Sequence, residues 1–278
     1  MNAINVSGNA ILIYGFHCGT EGVAIPTLVS RFVAAFIIIK LLLKDKWTLH
    51  LERTFRFNPD WSMIRKILSV GIPNGLENSM FQLGKVLVLS LVSTFGTYAI
   101  AANAVSNVIT LFSILPGQAI CLAVTTVIAR CVGAGDYEQA KYYNKKLILL
   151  THIGMAITIF IVFITLPFIL KVYNLSEAAS EATRHIIWFH GCCAILIWAE
   201  SFTLPATFRA CGDAKACMII STVSMWIFRV GASYILGKNL GLGVFGVWVA
   251  MIIDWAFRSL LFGIRYFSGK WKKHALVS

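Results

Sequence analysis

Residues 86–129 contain no Asp, Glu, Lys or Arg, and a run of that length cannot lie on the surface of a water-soluble domain. One helix crosses the hydrocarbon core of a bilayer with about 20 residues, so the run must hold two crossings and a turn, which the sequence places at Gly96-Thr97. The rest of the chain repeats this pattern. Apolar stretches of spanning length occur at 22–43, 66–95, 104–129, 147–170, 185–208, 216–237 and 244–266, with a shorter piece at 3–16. The predicted fold class is therefore an all-α polytopic membrane bundle of about seven full transmembrane helices plus a partial one. Composition agrees: 58% of residues are hydrophobic and 13% charged, too few polar side chains to cover a water-facing surface.

The net charge of +12 has a location. Basic residues cluster in alternate connections: Lys44 to Lys66, Arg130 to Lys146, Arg209 with Lys215, and the tail from Arg265 to Lys273. The opposite side carries only Lys171, Arg184 and Lys238. Basic loops stay on the cytoplasmic side, which puts these loops and the C-terminus in the cytoplasm and predicts a multi-pass protein of the cell membrane. No nucleic-acid motif accompanies the charge, and no nucleic-acid partner is expected. The seven cysteines show neither C-x-x-C spacing nor pairing in loops; they read as small hydrophobes, so no metal or cofactor is predicted. Residues 1–16 lack the positive start of a signal peptide and are expected to be structure.

Shifted by 224 residues, the chain aligns with itself. Gly19 meets Gly243, Gly22-Val23 meets Gly246-Val247, and Lys46-Trp47 meets Lys270-Trp271. Paired repeats are common in transporters. On this reading residues 1–44 are the remnant of a first lobe, 45–62 a cytoplasmic interlobe loop, and 63–278 a complete second lobe of six helices. The implied parent has twelve helices, its first four and a half lying outside this sequence.

The loops carry a family pattern. Gly71-Ile72-Pro73-Asn74-Gly75-Leu76-Glu77, Ala99-Ile100-Ala101-Ala102-Asn103-Ala104-Val105, Arg130-Cys131-Val132-Gly133-Ala134-Gly135-Asp136 and Arg209-Ala210-Cys211-Gly212-Asp213 together resemble the multidrug and toxic compound extrusion (MATE) family. The resemblance covers nearly the whole chain, as that family's second lobe plus the end of its first. It implies a secondary transporter that exports organic, often cationic, drug-like small molecules by antiport with Na⁺ or H⁺. In it, two lobes rock around a cavity within the lipid bilayer, and the missing first lobe completes that cavity. Gly133 to Asp136 and Gly212-Asp213 read as helix corners: a residue tolerating positive φ, then an Asp that caps the next helix. Gln139 adds capping-box spacing.

Ionisable groups deep in a span are functional candidates, because burying them is costly. Asn74, Asn78, Gln82 and Lys85 recur at helical spacing with Glu77 at their margin, and Pro73 breaks the hydrogen-bond ladder just below, so that helix is expected to kink. Asn103 and Asn107 form a second stripe. These residues, with Phe81, are the predicted substrate cavity. Phe81 stands eight residues past the proline, where well-studied MATE branches carry an acid, and Glu77 lies one turn earlier. Glu200 lies about 14 Å from the cytoplasmic end of its helix and Glu77 about 15 Å from that of its own, so the two carboxylates can face each other as a cation-coupling pair. Alternatively, Glu200 neutralises a cation on a neighbouring helix. Asp254 and Arg258, at i and i+4, are expected to neutralise each other, and His152 and His190 to be packing residues. No nucleophile–base constellation or phosphate loop argues for an enzyme. Rival readings are a lipid-linked oligosaccharide flippase of the same superfamily, which needs a basic cavity, an inactive remnant of a transporter, and a retinal protein, which would need a lysine that 244–266 lacks.

Overall fold

The computed structural model describes residues 1–43, 59–269 and 271, as two compact units, Met1–Pro59 and Asp60–Ser278. Most of the 45–62 loop, and the basic residues Lys44, Lys46, Arg53, Arg56, Lys270, Lys272 and Lys273, lie outside the described residues. In the first unit α1 (Asn2–Ala10) widens into a π-helical turn (Ile11–Gly15) and is followed by α2 (Glu21–Leu42). The two approach closely where Gly8 meets Pro26, since a Cβ on Gly8 would lie 2.7 Å from that ring. Asn5 Nδ2 donates to Thr27 Oγ1 at 2.9 Å beside it.

The second unit holds α3 (Trp61–Ser93), α4 (Thr97–Gly133), α5 (Tyr137–Tyr173), α6 (Glu177–Ala210), α7 (Ala214–Ser224, continuing through π-helical turns at Met225–Gly231 and Tyr234–Asn239) and α8 (Gly243–Phe267). Among the described residues six helices are long and apolar enough to cross a membrane: α2, α4, α5, α6, α7 with its π-helical continuation, and α8. The seventh long helix, α3, falls short of that standard because Asn74, Glu77, Asn78, Gln82 and Lys85 occupy its middle. It nevertheless runs unbroken through Pro73, as α4, α5 and α6 run through Pro116, Pro167 and Pro205.

Helix α6 is the central column, packed by α4, α5 and α8, while α3 packs chiefly on α7. Lipid is as apolar as leucine, so burial of hydrocarbon does not select which face turns inward; small residues and cross-helix hydrogen bonds do. Gly117 of α4 lies under Trp198 of α6, and Gly191 of α6 under Phe163 of α5. Thr207 of α6 donates to Asn144 of α5 at 2.6 Å, Thr158 of α5 to the Ser113 carbonyl of α4 at 2.9 Å, and Ser201 of α6 to the Trp255 carbonyl of α8. Meanwhile Leu111, Phe112, Leu115, Leu122, Phe160 and Phe168 face outward.

The corners follow the sequence expectation in part. Gly96 (φ +98), Gly135 (φ +75) and Gly212 (φ +85) take the left-handed region. Asp136 caps α5, its Oδ1 accepting from the Gln139 amide at 2.9 Å. The reciprocal arm of a capping box is missing because the Asp136 amide already donates to the Cys131 carbonyl. Asp213 makes no side-chain cap. Its carboxylate instead receives Arg265 of α8 through two bonds, 2.6 and 2.9 Å, tying α8 to the α6–α7 corner.

The internal repeat is visible as matched backbone. The Phe16 amide donates to Ile11 and that of Cys18 to Leu12; at the same offset of 224, Leu240 donates to Ile235 and Leu242 to Leu236. Both copies thus enter their next helix through the same wide turn. In the second copy the turn explains Gly246: a Cβ there would sit 2.8 Å from the backbone carbonyl of Leu236, which cannot step aside. Gly246→Val is expected to lower stability by about 1–3 kcal/mol, seen as a lower thermal midpoint in detergent. Gly263→Ala, on the same helix with open space around it, should leave the midpoint unchanged or raise it.

Candidate functional site

The α3 face that turns into the lobe runs Pro73, Glu77, Phe81, Gly84: the first, second and fourth are buried and Phe81 is half-buried. Gly84 is held against Met225 of the π-helical part of α7, where a Cβ would be 2.4 Å from the methionine methyl. The predicted stripe is the neighbouring face. Asn74 is half-buried, whereas Asn78, Gln82 and Lys85 are exposed, and Asn78 Nδ2 donates back to the Asn74 carbonyl at 2.9 Å. On α4, Asn107 is exposed and donates to the Asn103 carbonyl at 2.7 Å, while Asn103 Oδ1 accepts from Trp248 Nε1 of α8 at 3.1 Å.

The two acids have separate partners. Glu77, 5% exposed, accepts two hydrogen bonds from Arg209 Nη2, at 2.8 and 2.9 Å. Arg209 is in the last turn of α6, so a residue assigned by charge counting to the cytoplasmic loop turns inward instead. A buried carboxylate needs a counter-charge, and the end of α6 supplies it. Glu200, on the same helix, meets His152 of α5: His152 Nε2 lies 3.0 Å from Glu200 Oε1, and His152 Nδ1 lies 2.6 Å from the Ile195 carbonyl. The acids therefore do not form a pair with each other. Of the two alternatives read from the sequence, Glu200 follows the second, with a histidine as its partner.

Beside Glu77 lies a cationic and aromatic layer. Arg258 of α8 is 2% exposed. Its Cζ lies 4.6 Å from the Phe202 ring centroid, 5.3 Å from that of Phe81 and 5.9 Å from that of Phe262, and its Nη2 donates to the Ser201 carbonyl at 3.2 Å. Arg229 of α7 lies 6.0 Å from Phe81 on its own account. Such face contacts stabilise a desolvated guanidinium. The Asp254 and Arg258 charges do act on each other as expected, yet among the described residues they share no direct ion pair, and Asp254 accepts from the Ser224 hydroxyl of α7. Cross-helix partners were available to both, and one-turn spacing could not reveal them. His190 is a packing residue as expected, buried edge-on to Trp248 and Trp255 at 5.4 and 5.2 Å. His152 is not.

This arrangement has relatives. The MatE family profile matches residues 73–235. The chain belongs to the MATE family. Over its whole length it is 27% identical to a probable multidrug resistance protein NorM of Thermotoga maritima, and over 98% of its length 26% identical to an uncharacterized transporter, YisQ, of Bacillus subtilis. It spans about 60% of the length of each. Among solved structures, an outward-facing multidrug resistance MATE family transporter superposes with a TM-score of 0.87 at 20% identity, covering 98% of this chain and 61% of that one. A MOP superfamily transporter from Pyrococcus furiosus, whose binding pocket is described as having reverse polarity, does so at 0.85 and 21%, covering 96% of this chain and 60% of that one. At that identity the likeness establishes the fold. The MATE membership and the apolar helices make this a multi-pass membrane protein of a transporter family.

The Arg209–Glu77 pair joins two helices of this MATE lobe that otherwise barely touch, so it is tested by a double-mutant cycle. Glu77→Gln and Arg209→Gln are each expected to lower the thermal midpoint. The double variant should be less destabilised than their sum by about 1–3 kcal/mol; strict additivity would show that the pair carries no coupling.

Proposed function

We propose that the protein takes part in secondary active efflux of organic, often cationic, small molecules, in exchange for an inward-moving Na⁺ or H⁺. The observation that carries this reading is the outer face of α3. Asn78, Gln82 and Lys85 are exposed at the depth of a span, where lipid contact would cost several kcal/mol for the lysine alone. Such a face belongs on a water-filled space, and in a two-lobe transporter that space is the central cavity. Phe81 and the Asn107 amide supply an aromatic and a polar edge. The basic loops at Arg130 to Lys146 and at Arg209 to Lys215 lie on the cytoplasmic side in this proposal, in the cell membrane. A flippase for pyrophosphate-linked lipids is less well supported, because Arg209 is bound to Glu77 and Arg258 sits under aromatic rings, leaving Lys85 as the exposed cation on this face.

Two outcomes test the reading. In a cysteine-free background, Asn78→Cys and Gln82→Cys should react with a membrane-impermeant maleimide at least tenfold faster than Leu111→Cys on the lipid-facing side of α4. Equal, slow labelling would remove the cavity. In proteoliposomes of a full-length, two-lobe version, ethidium flux should follow an imposed Na⁺ or H⁺ gradient and be lost in Glu77→Gln without loss of expression. Gradient-driven flux at the normal rate in that variant would overturn the coupling role of Glu77.

A further inference from the structure

Trp61, Ile64, Arg65, Leu68 and Ile72 recur at three- and four-residue spacing, so they share one face of the first turns of α3. That face is one wall of a cleft of about 610 Å³, whose lining also includes Pro73 and, from the first turn of α7, Lys215. Helices α3 to α6 carry the chain across four times before α7 begins, so Arg65 and Lys215 stand at the same end of the lobe. The cleft is thus cationic at its mouth and apolar along its length.

The two cations lack counter-charges. The acid nearest Arg65 in sequence is Asp60, whose Oδ1 caps α3 by accepting from the Ser62 and Met63 amides at 2.9 and 3.1 Å. The acid nearest Lys215 is Asp213, held by Arg265 at 2.6 and 2.9 Å. Among the described residues neither Arg65 nor Lys215 has an ion-pair partner, and both are exposed.

Depth selects the occupant. From Ile64 to Ile72 the wall rises about 12 Å at 1.5 Å per residue, close to the ~15 Å that one leaflet contributes to the hydrocarbon core. Trp61, 74% exposed at the mouth, suits the level of the head groups. A peptide laid in the cleft would leave backbone groups unpaired at that depth, and an organic cation would be repelled by Arg65 and Lys215. An acyl chain needs no polar partner, and a phosphate matches the forked donors of a guanidinium.

We propose that this cleft binds one anionic phospholipid, with its head group on Arg65 and Lys215 and an acyl chain along Ile64, Leu68 and Ile72. In the orientation proposed above the lipid comes from the cytoplasmic leaflet, whose surface is anionic. The site rests on the membrane fold and not on the exporter reading. Bound there, the lipid braces α3 against α7 beside a break in the helical ladder, because Pro73 has no amide to donate to the Ser69 carbonyl. Glu77, held by Arg209, lies one turn further along.

The test is native mass spectrometry of the full chain in detergent with equimolar phosphatidylglycerol and phosphatidylcholine. The wild-type chain should retain one phosphatidylglycerol in preference to phosphatidylcholine by about tenfold or more, at roughly fivefold for each cation. Arg65→Gln combined with Lys215→Gln should lose that preference, and Lys238→Gln, at the opposite end of the lobe, should keep it. Leu68→Trp leaves both charges in place and fills the cleft, so it should lower phosphatidylglycerol retention as well. Added phosphatidylglycerol should raise the thermal midpoint of the wild-type chain and not that of the double variant, with circular dichroism checking that the variant is folded. Equal retention of the two lipids, or a preference that survives in the double variant, would overturn the proposal. Unchanged retention in Leu68→Trp would overturn it by placing the lipid on the basic surface and not in the cleft. A doubled mass in place of the lipid-bound monomer would overturn it by giving the cleft to a second copy of the chain.

Discussion

A charge within a span has no water to solvate it, so its partner must come from the protein; in this lobe most of that duty falls on α6. The helix provides Arg209 to the buried Glu77 of α3, receives His152 of α5 on Glu200, and offers the Ser201 carbonyl to Arg258 of α8. These contacts fall within residues 200–209, near the C-terminal end of the helix, where it is most enclosed: residues 203–208 are all buried. Removing any one of them would strand an ionised group, which costs far more than the contact itself contributes. The orientation of four helices thus depends on a short segment of one.

Packing follows the same logic at lower energy. Three close approaches between helices pair a glycine with an aromatic or flexible side chain: Gly117 with Trp198, Gly191 with Phe163, Gly84 with Met225. Hydroxyl groups then close the interfaces through carbonyls of the neighbouring helix. Helix α3 leans on α7, whose π-helical turns present Met225 and Arg229 to it, and keeps a polar face free.

Much of the fold was legible in sequence. The charge-free run, the placement of the spans, the glycine corners and the 224-residue repeat all come from local properties: length, hydropathy and backbone freedom. The repeat even anticipated a shared wide turn. Side-chain partners were another matter. Asp254 and Arg258 look like a pair at one-turn spacing, yet hydrogen-bond to Ser224 and Ser201 on other helices. Asp213 looks like a cap and proved to be the anchor of Arg265. Arg209 looks like one more loop cation. His152 had no local signal at all, because its partner is a glutamate 48 residues away.

The sequence by itself determined that the chain is a bundle of membrane helices, roughly where their apolar spans lie, which motifs place it among MATE transporters, and which groups are too costly to bury alone. Hydropathy and turn chemistry are properties of a few adjacent residues, so they survive without coordinates. Only the tertiary structure decided which counter-charge each buried group receives, and that α3 turns Glu77 inward while leaving Asn78, Gln82 and Lys85 open. In a span apolar on nearly every side, periodicity does not mark the inward face. Close contact at small residues and directed cross-helix hydrogen bonds choose it, and they exist only once the helices are packed.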